Sequence, residues 1–173
     1  MNTIFCVSSC NDLAMTSYDQ TVLSGHVDGS LRSWDIKSGK STFTIPNLHT
    51  KQITSVTISP DGQTALTLGR DNVLKVVDLR TWETLRVYSD EGFRVGVNWA
   101  KACFSPDGSF LAAGGAEGSI FIWNTSSQKL VRQLSSKEAH SSTITCVAWH
   151  PNAVQFASCD RKANVVLWDC EKN

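Results

Sequence analysis

Neither sign of charge is in excess. Sixteen basic and sixteen acidic residues leave the 173-residue chain with net charge zero. A nucleic-acid-binding stripe or a polybasic membrane anchor draws its affinity from concentrated positive charge, so neither is expected. No apolar run approaches the roughly 18 residues that cross a bilayer as a helix, so no direct membrane insertion is expected. Residues Met1 to Cys10 carry no basic stretch ahead of their apolar positions, which argues against a secretory leader. Six cysteines stand at 6, 10, 103, 146, 159 and 170, and no two form a C-x-x-C pair. Cys103 follows Ala102 and precedes Phe104; Cys146 lies between Thr145 and Val147. Such apolar surroundings predict buried free thiols in a reducing, cytoplasmic compartment, with a zinc site or a disulfide as the alternative. The sequon Asn124-Thr125-Ser126 is then a chance match. No H-E-x-x-H, Walker loop, nucleophile elbow or kinase signature occurs. No a/d heptads occur either. The chain is therefore expected to be neither an enzyme nor a holder of a metal or cofactor.

What is present is a repeat. Trp34-Asp35, Val77-Asp78, Trp123-Asn124 and Trp168-Asp169 lie 43, 46 and 45 positions apart, each after a short β-branched and apolar run. That period with that strand ending is the signature of WD repeats, four-stranded blades that stack into a propeller. One blade cannot bury both of its faces alone. The predicted fold is all-β, a WD-repeat β-propeller of about four blades. Repeats fall at about 9–45, 49–88, 91–134 and 138–169. In the second, Ile53 to Ser59, Gln63 to Leu68, Val73 to Asp78 and Thr84 to Tyr88 read as successive strands. Pro60-Asp61-Gly62 and Pro106-Asp107-Gly108 read as turns, Pro presetting φ. The fourth repeat stops after its third strand. Thr3 to Val7 precedes the first repeat as an unclaimed apolar segment and reads as an outer strand. A ring closed by that strand and a part of a larger, seven-bladed ring both fit. The partial ring is preferred, because seven blades are commoner among WD repeats.

His140, Ser158 and Trp168 invite comparison with a catalytic triad. WD repeats, however, use a His from the loop between blades, a hydroxyl on the second strand, an Asp in the following turn and the Trp of the third strand. These form a buried relay that pins the blade. His49, Thr67 and Asp71 belong to it in the second repeat, with Val77 in place of Trp. In the fourth, Lys162 takes the Asp position and Asp160 is the candidate substitute. The first has Ser24, Asp28 and Trp34 without a matching His; the third has Glu117 and Trp123, with Ala113 at the hydroxyl position. The relay thus reads as broken in every repeat, and Trp34, Trp123 and Trp168 read as structural. Gly114 to Gly118 precedes a strand and not a helix, so a tight turn is expected there instead of a phosphate loop. Cys6, Cys10 and His26 have poor spacing for a metal site. Asp90 to Trp99 is longer than an ordinary connection. Its Phe93, Arg94 and Trp99 are candidate protein contacts, since these residue types are enriched in hot spots.

Two stretches go beyond a generic WD repeat: Asp71 to Thr81 (DNVLKVVDLRT), and Gly92 to Trp99 (GFRVGVNW) leading into Phe104 to Trp123. With Ser9 to Asp12 and Ser24 to His26, they resemble the C-terminal WD-repeat domain of autophagy-related protein 16-like proteins. The resemblance implies a docking platform, in which partners bearing short motifs, cytosolic or membrane-tethered, recruit the autophagy lipid-conjugation complex to membranes. It also implies that the conjugation complex is engaged only through a longer form, with a coiled coil. Carried over from the family, Asn11, Val27 and Lys51 would emerge on one face of adjacent blades. Relatives carry an aromatic in place of Val27, and Gln52 is the alternative counterpart of Lys51. A substrate receptor of a cullin-type ubiquitin ligase is the rival reading. It rests on Val77-Asp78-Leu79-Arg80, which matches Trp-Asp-x-Arg except at its first residue.

Overall fold

The computed structural model describes residues 3–16, 20–135, 139–152 and 155–169. These residues form β-strands and turns and no helix. The first sheet is β1 (Cys10–Met15), β2 (Thr21–His26), β3 (Leu31–Asp35) and β4 (Ser41–Ile45). The second is β5 (Ile53–Ile58), β6 (Thr64–Gly69), β7 (Leu74–Asp78) and β8 (Thr84–Tyr88). The third is β9 (Ala102–Phe104), β10 (Phe110–Gly114), β11 (Ile120–Asn124) and β12 (Leu130–Leu134). The fourth has β13 (Ile144–Trp149), β14 (Gln155–Asp160) and β15 (Val165–Asp169). Each sheet is an antiparallel meander whose strand order follows the chain, as in a propeller blade.

Local chemistry repeats from blade to blade. The residue that follows Trp or Val at the end of the third strand is a turn cap. Asp35 Oδ1 accepts from the Ser38 amide at 2.6 Å. Asp78 Oδ1 accepts from Arg80 and Thr81, and Asn124 Oδ1 from Ser126 and Ser127. Such Asx turns reverse the chain into the fourth strand. The Pro-Asp-Gly turns are also capped: Asp61 and Asp107 each accept a hydroxyl hydrogen, from Ser59 and Ser105, at 2.5 Å.

Three apolar clusters join the blades face to face. Leu23 and Leu31 meet Ile53, Val56, Ala65 and Val77 between the first and second. Leu66, Leu74, Val76 and Tyr88 meet Phe93, Leu111, Phe121 and Trp123 between the second and third. Ala112 and Ile120 meet Ile144, Val147 and Phe156 between the third and fourth. Approach is close enough that a Cβ built on Gly25 would stand 2.5 Å from Ile53 Cγ2, and one on Gly114 2.3 Å from Ile144 Cγ2. The sheets form an arc that is part of a propeller. Among the described residues, β15 is the last strand of its sheet and carries no partner on its outer side.

Thr3 to Val7, expected as an outer strand, is not a strand. Seven residues separate Ile45 from Ile53 and nine separate Leu134 from Ile144, but only two separate Val7 from Cys10. A chain advances at most about 3.6 Å per residue. Two residues cannot carry it from the outer edge of one blade to the inner edge of the next, across strands spaced about 4.8 Å apart. The segment occupies the place of the connecting loop. Phe5 and Val7 there are 91% and 102% exposed.

Candidate functional site

In the first, second and fourth blades the relay side chains are hydrogen-bonded to one another. In the fourth blade Trp168 Nε1 donates to Ser158 Oγ at 2.8 Å. The Ser158 hydroxyl meets His140 Nε2 at 2.6 Å, and His140 Nδ1 donates to Asp160 Oδ2 at 3.0 Å. This relay is complete, so the reading that every repeat had lost it is corrected. Asp160 comes two residues after the serine instead of four, and the turn brings it under the imidazole. Burial raises the Asp160 pKa, but hydrogen bonds from Asn164 and His140 outweigh it and hold the carboxyl well below its usual range.

The first blade also differs from expectation. Trp34 Nε1 donates to Ser24 Oγ at 2.6 Å, and Ser24 meets His26 Nε2 at 2.8 Å. His26, from the end of β2 and not from a connecting loop, supplies the imidazole. Its Nδ1 donates to the Ser8 carbonyl at 2.9 Å, an uncharged acceptor in place of a carboxylate. Burial is the largest influence on His26 and lowers its pKa. In the second blade His49 Nδ1 donates to Asp71 Oδ1 at 2.9 Å and Nε2 meets Thr67 Oγ1 at 2.9 Å. Burial raises the Asp71 pKa, yet His49, the Thr50 amide and Lys75 together overcome it and the net shift is downward.

The third blade replaces the relay with aromatic rings. Phe93 packs edge-on against both Phe121 and Trp123, with centroids 5.2 Å away in each case. Phe93 is fully buried, which removes it as a protein-contact residue. The long connection tucks its phenyl ring into the space left by Ala113 and the absent imidazole. Trp123 Nε1 is buried without a hydrogen-bond partner.

The connecting loops and the turns between second and third strands emerge on one rim. The Val27 amide donates to the Ser9 carbonyl, and the His49 amide to the Gly29 carbonyl. The Ala116 amide likewise donates to the Arg94 carbonyl. Val27 is 44% exposed and Trp99 57%; Lys51 and Arg94 are exposed. Asn11 differs from these. It is the residue at which the β1–β2 register shifts, a bulge that re-aims its side chain. Its Nδ2 donates to the Ile53 carbonyl at 2.8 Å, joining the first blade to the second. Gln52 is half-buried, and its carbonyl accepts from the Arg70 amide.

One tie had no signal in the sequence. Asp12 Oδ2 accepts from the Val56 amide at 2.8 Å, and Lys101 Nζ stands 2.5 Å from Asp12 Oδ1. One carboxylate thereby links the inner strands of the first two blades to Lys101, the residue that precedes β9. Among the described cysteines none is in a disulfide. Burial pushes the Cys103 thiol up to about 12, which disfavours the reactive thiolate.

Comparison with known proteins places this geometry in context. The WD domain, G-beta repeat family matches residues 39–78, 84–124 and 129–169. Protein tipD of Dictyostelium discoideum is 43% identical over 96% of this chain and 28% of its own length. Autophagy-related protein 16 of Arabidopsis thaliana is 38% identical over 96% of the chain and 32% of its own length. Protein Atg16l2 of Mus musculus is 36% identical over 96% and 26%. The chain spans about a third or less of the length of these relatives.

Proposed function

Because the chain belongs to the WD-repeat family and has homologues named for autophagy, we propose that it is a non-catalytic docking module of the autophagy machinery. Its rim accepts a short peptide from a cytosolic or membrane-tethered partner. A longer form would bring the lipid-conjugation complex to that partner's membrane. The observation that carries this reading is the rim itself. Val27 stands exposed there in the turn between β2 and β3, with Lys51 and Arg94 exposed in connecting loops, and Trp99 is exposed further along the long connection that leads to β9. Exposed aromatic and apolar side chains with Arg nearby are the usual anchors of an interface. Asn11 acts by holding the first two blades in register and not as a direct anchor. The serine, threonine, histidine and aspartate side chains that resemble catalytic groups are engaged in blade relays, which supports a scaffold over an enzyme.

The test is copurification of autophagy conjugation components with a longer form that carries the coiled coil, and of the docking partner with the parent chain, followed by calorimetry with the partner segment so mapped. Val27→Asp and Trp99→Asp should each weaken binding at least about tenfold, or roughly 1.4 kcal/mol. Val27→Phe should preserve or strengthen it. Equal affinities in all variants, or recovery of a ubiquitin-ligase adaptor in place of autophagy components, would overturn the reading.

A further inference from the structure

Two cysteines face each other across the first strand pair of the fourth blade. β13 carries an extra residue at Thr145, and beyond it the antiparallel register sets Cys146 directly opposite Cys159 of β14. Partners so opposed stand about 4.5–5.5 Å apart at Cα, inside the roughly 4.4–6.8 Å that a disulfide spans. Side chains alternate along a strand, so both cysteines project to the side opposite Val147 and Ser158. Both thiols are free. Burial pushes the Cys146 thiol up, and the neighbouring Cys159 sulfur adds to that shift. Neither sulfur is held by a strong bond: Cys146 Sγ reaches the Val147 carbonyl at 3.8 Å, and Cys159 Sγ lies 3.3 Å from Thr145 Oγ1. The blade itself does not call for cysteine at these positions. The corresponding pairs are Asp12 with Gly25 in the first blade and Ser55 with Leu68 in the second. Register is set between β13 and β14 and is the same whatever packs against the blade.

We propose that Cys146 and Cys159 are a redox modification site, a dithiol that hydrogen peroxide converts to a cross-strand disulfide. Burial disfavours the Cys146 thiolate, so the first attack belongs to Cys159. Its sulfur takes one peroxide oxygen, the O–O bond breaks, and the other oxygen leaves as water with the thiol proton. Cys146 then attacks Cys159 Sγ of the sulfenic acid. The S–S bond forms as the S–O bond breaks, and the departing hydroxide takes the Cys146 proton as a second water. The pair gives up two electrons and two protons, and one peroxide becomes two water molecules. Opposed Cβ atoms about 4.5–5.5 Å apart must draw in to the roughly 3.5–4.5 Å of a bridge. The bond is therefore strained and open to reduction, as a reversible switch requires. It ties β13 to β14 at the residue before Asp160 of the relay. The site lies within one blade, so the proposal stands independently of the docking function.

Peptide mapping without reduction tests it. The purified chain is reduced, freed of reductant, exposed to stoichiometric hydrogen peroxide, alkylated and digested with chymotrypsin. Cleavage after Trp149 and Phe156 falls between the two cysteines, so the bond appears as two linked peptides. That link should form before Cys103 is modified, because burial holds the Cys103 thiol at about 12. Dithiothreitol should remove it. Cys146→Ser should abolish the link and leave Cys159 as a sulfenic acid that dimedone traps, whereas Cys103→Ser should keep the link. Far-UV circular dichroism checks that the variants fold, and the map of the parent decides the matter where one does not. Both cysteines left as thiols, oxidation of either to a sulfinic acid without a link, or a link to any other cysteine would overturn the proposal.

Discussion

At the scale of single residues, Trp123 is the informative side chain. Its indole nitrogen is buried without an acceptor, whereas Trp34 and Trp168 donate to Ser24 and Ser158. Ala113 occupies the register position of those serines. Ala113→Ser should therefore stabilise the chain by about 1 kcal/mol, since an unsatisfied buried donor costs about 1–3 kcal/mol. Urea unfolding checks this; a midpoint no higher than the parent's would mean that the added oxygen crowds Phe93. His26 sets an expectation for pH. Burial holds its imidazole neutral in the fold, while in the unfolded chain it takes up a proton near pH 6.5. A base with a lowered folded pKa favours the unfolded state as pH falls, so stability is full above about 6.5 and declines below it. Asp160 and Asp71, held low, add their loss only at more acidic pH, below the ordinary carboxylate range. His26→Gln should flatten the pH dependence of the urea midpoint between about pH 6.5 and 5 while leaving the more acidic limb. An unchanged slope would assign the proton uptake to another group.

At the scale of the blade, the second repeat departs from the pattern at Val77. That side chain is fully buried with Leu23, Leu31, Ile53 and Val56, and Trp82 packs against the same cluster. Trp82 also stacks on Phe43 of the first blade, with centroids 5.0 Å apart. An aromatic from the turn thus closes the region that an indole at position 77 would enter. Val77→Trp should destabilise by about 1–3 kcal/mol through overpacking, instead of restoring a four-member relay with His49, Thr67 and Asp71. A variant more stable than the parent in urea would show that the blade has room for the ring. Strand identity was readable from the β-branched runs and turn residues, and β8 lies where the sequence places it. The bulges that re-aim Asn11 and the inner-strand tie through Asp12 were not readable, because both depend on the neighbouring blade.

At the scale of the whole molecule, each terminal blade has one packed face and each internal blade two. Stability in such arrays is close to a sum over nearest neighbours. Amides of β14 and β15 should therefore exchange hydrogen faster than those of β6 and β7. Uniform protection along the chain would point instead to a single cooperative unit. The sequence by itself determined the WD-repeat propeller class and the residues of the second blade's relay. These follow from short-range periodicity and from residue types that report burial. Tertiary structure alone decided that residues 3–7 are a connection, that His26 and Asp160 complete two relays, and that Phe93 is core while Trp99 is surface. Each of these turns on which side chain the adjoining blade leaves room for. That is a packing fact between segments distant in sequence, and no local pattern encodes it.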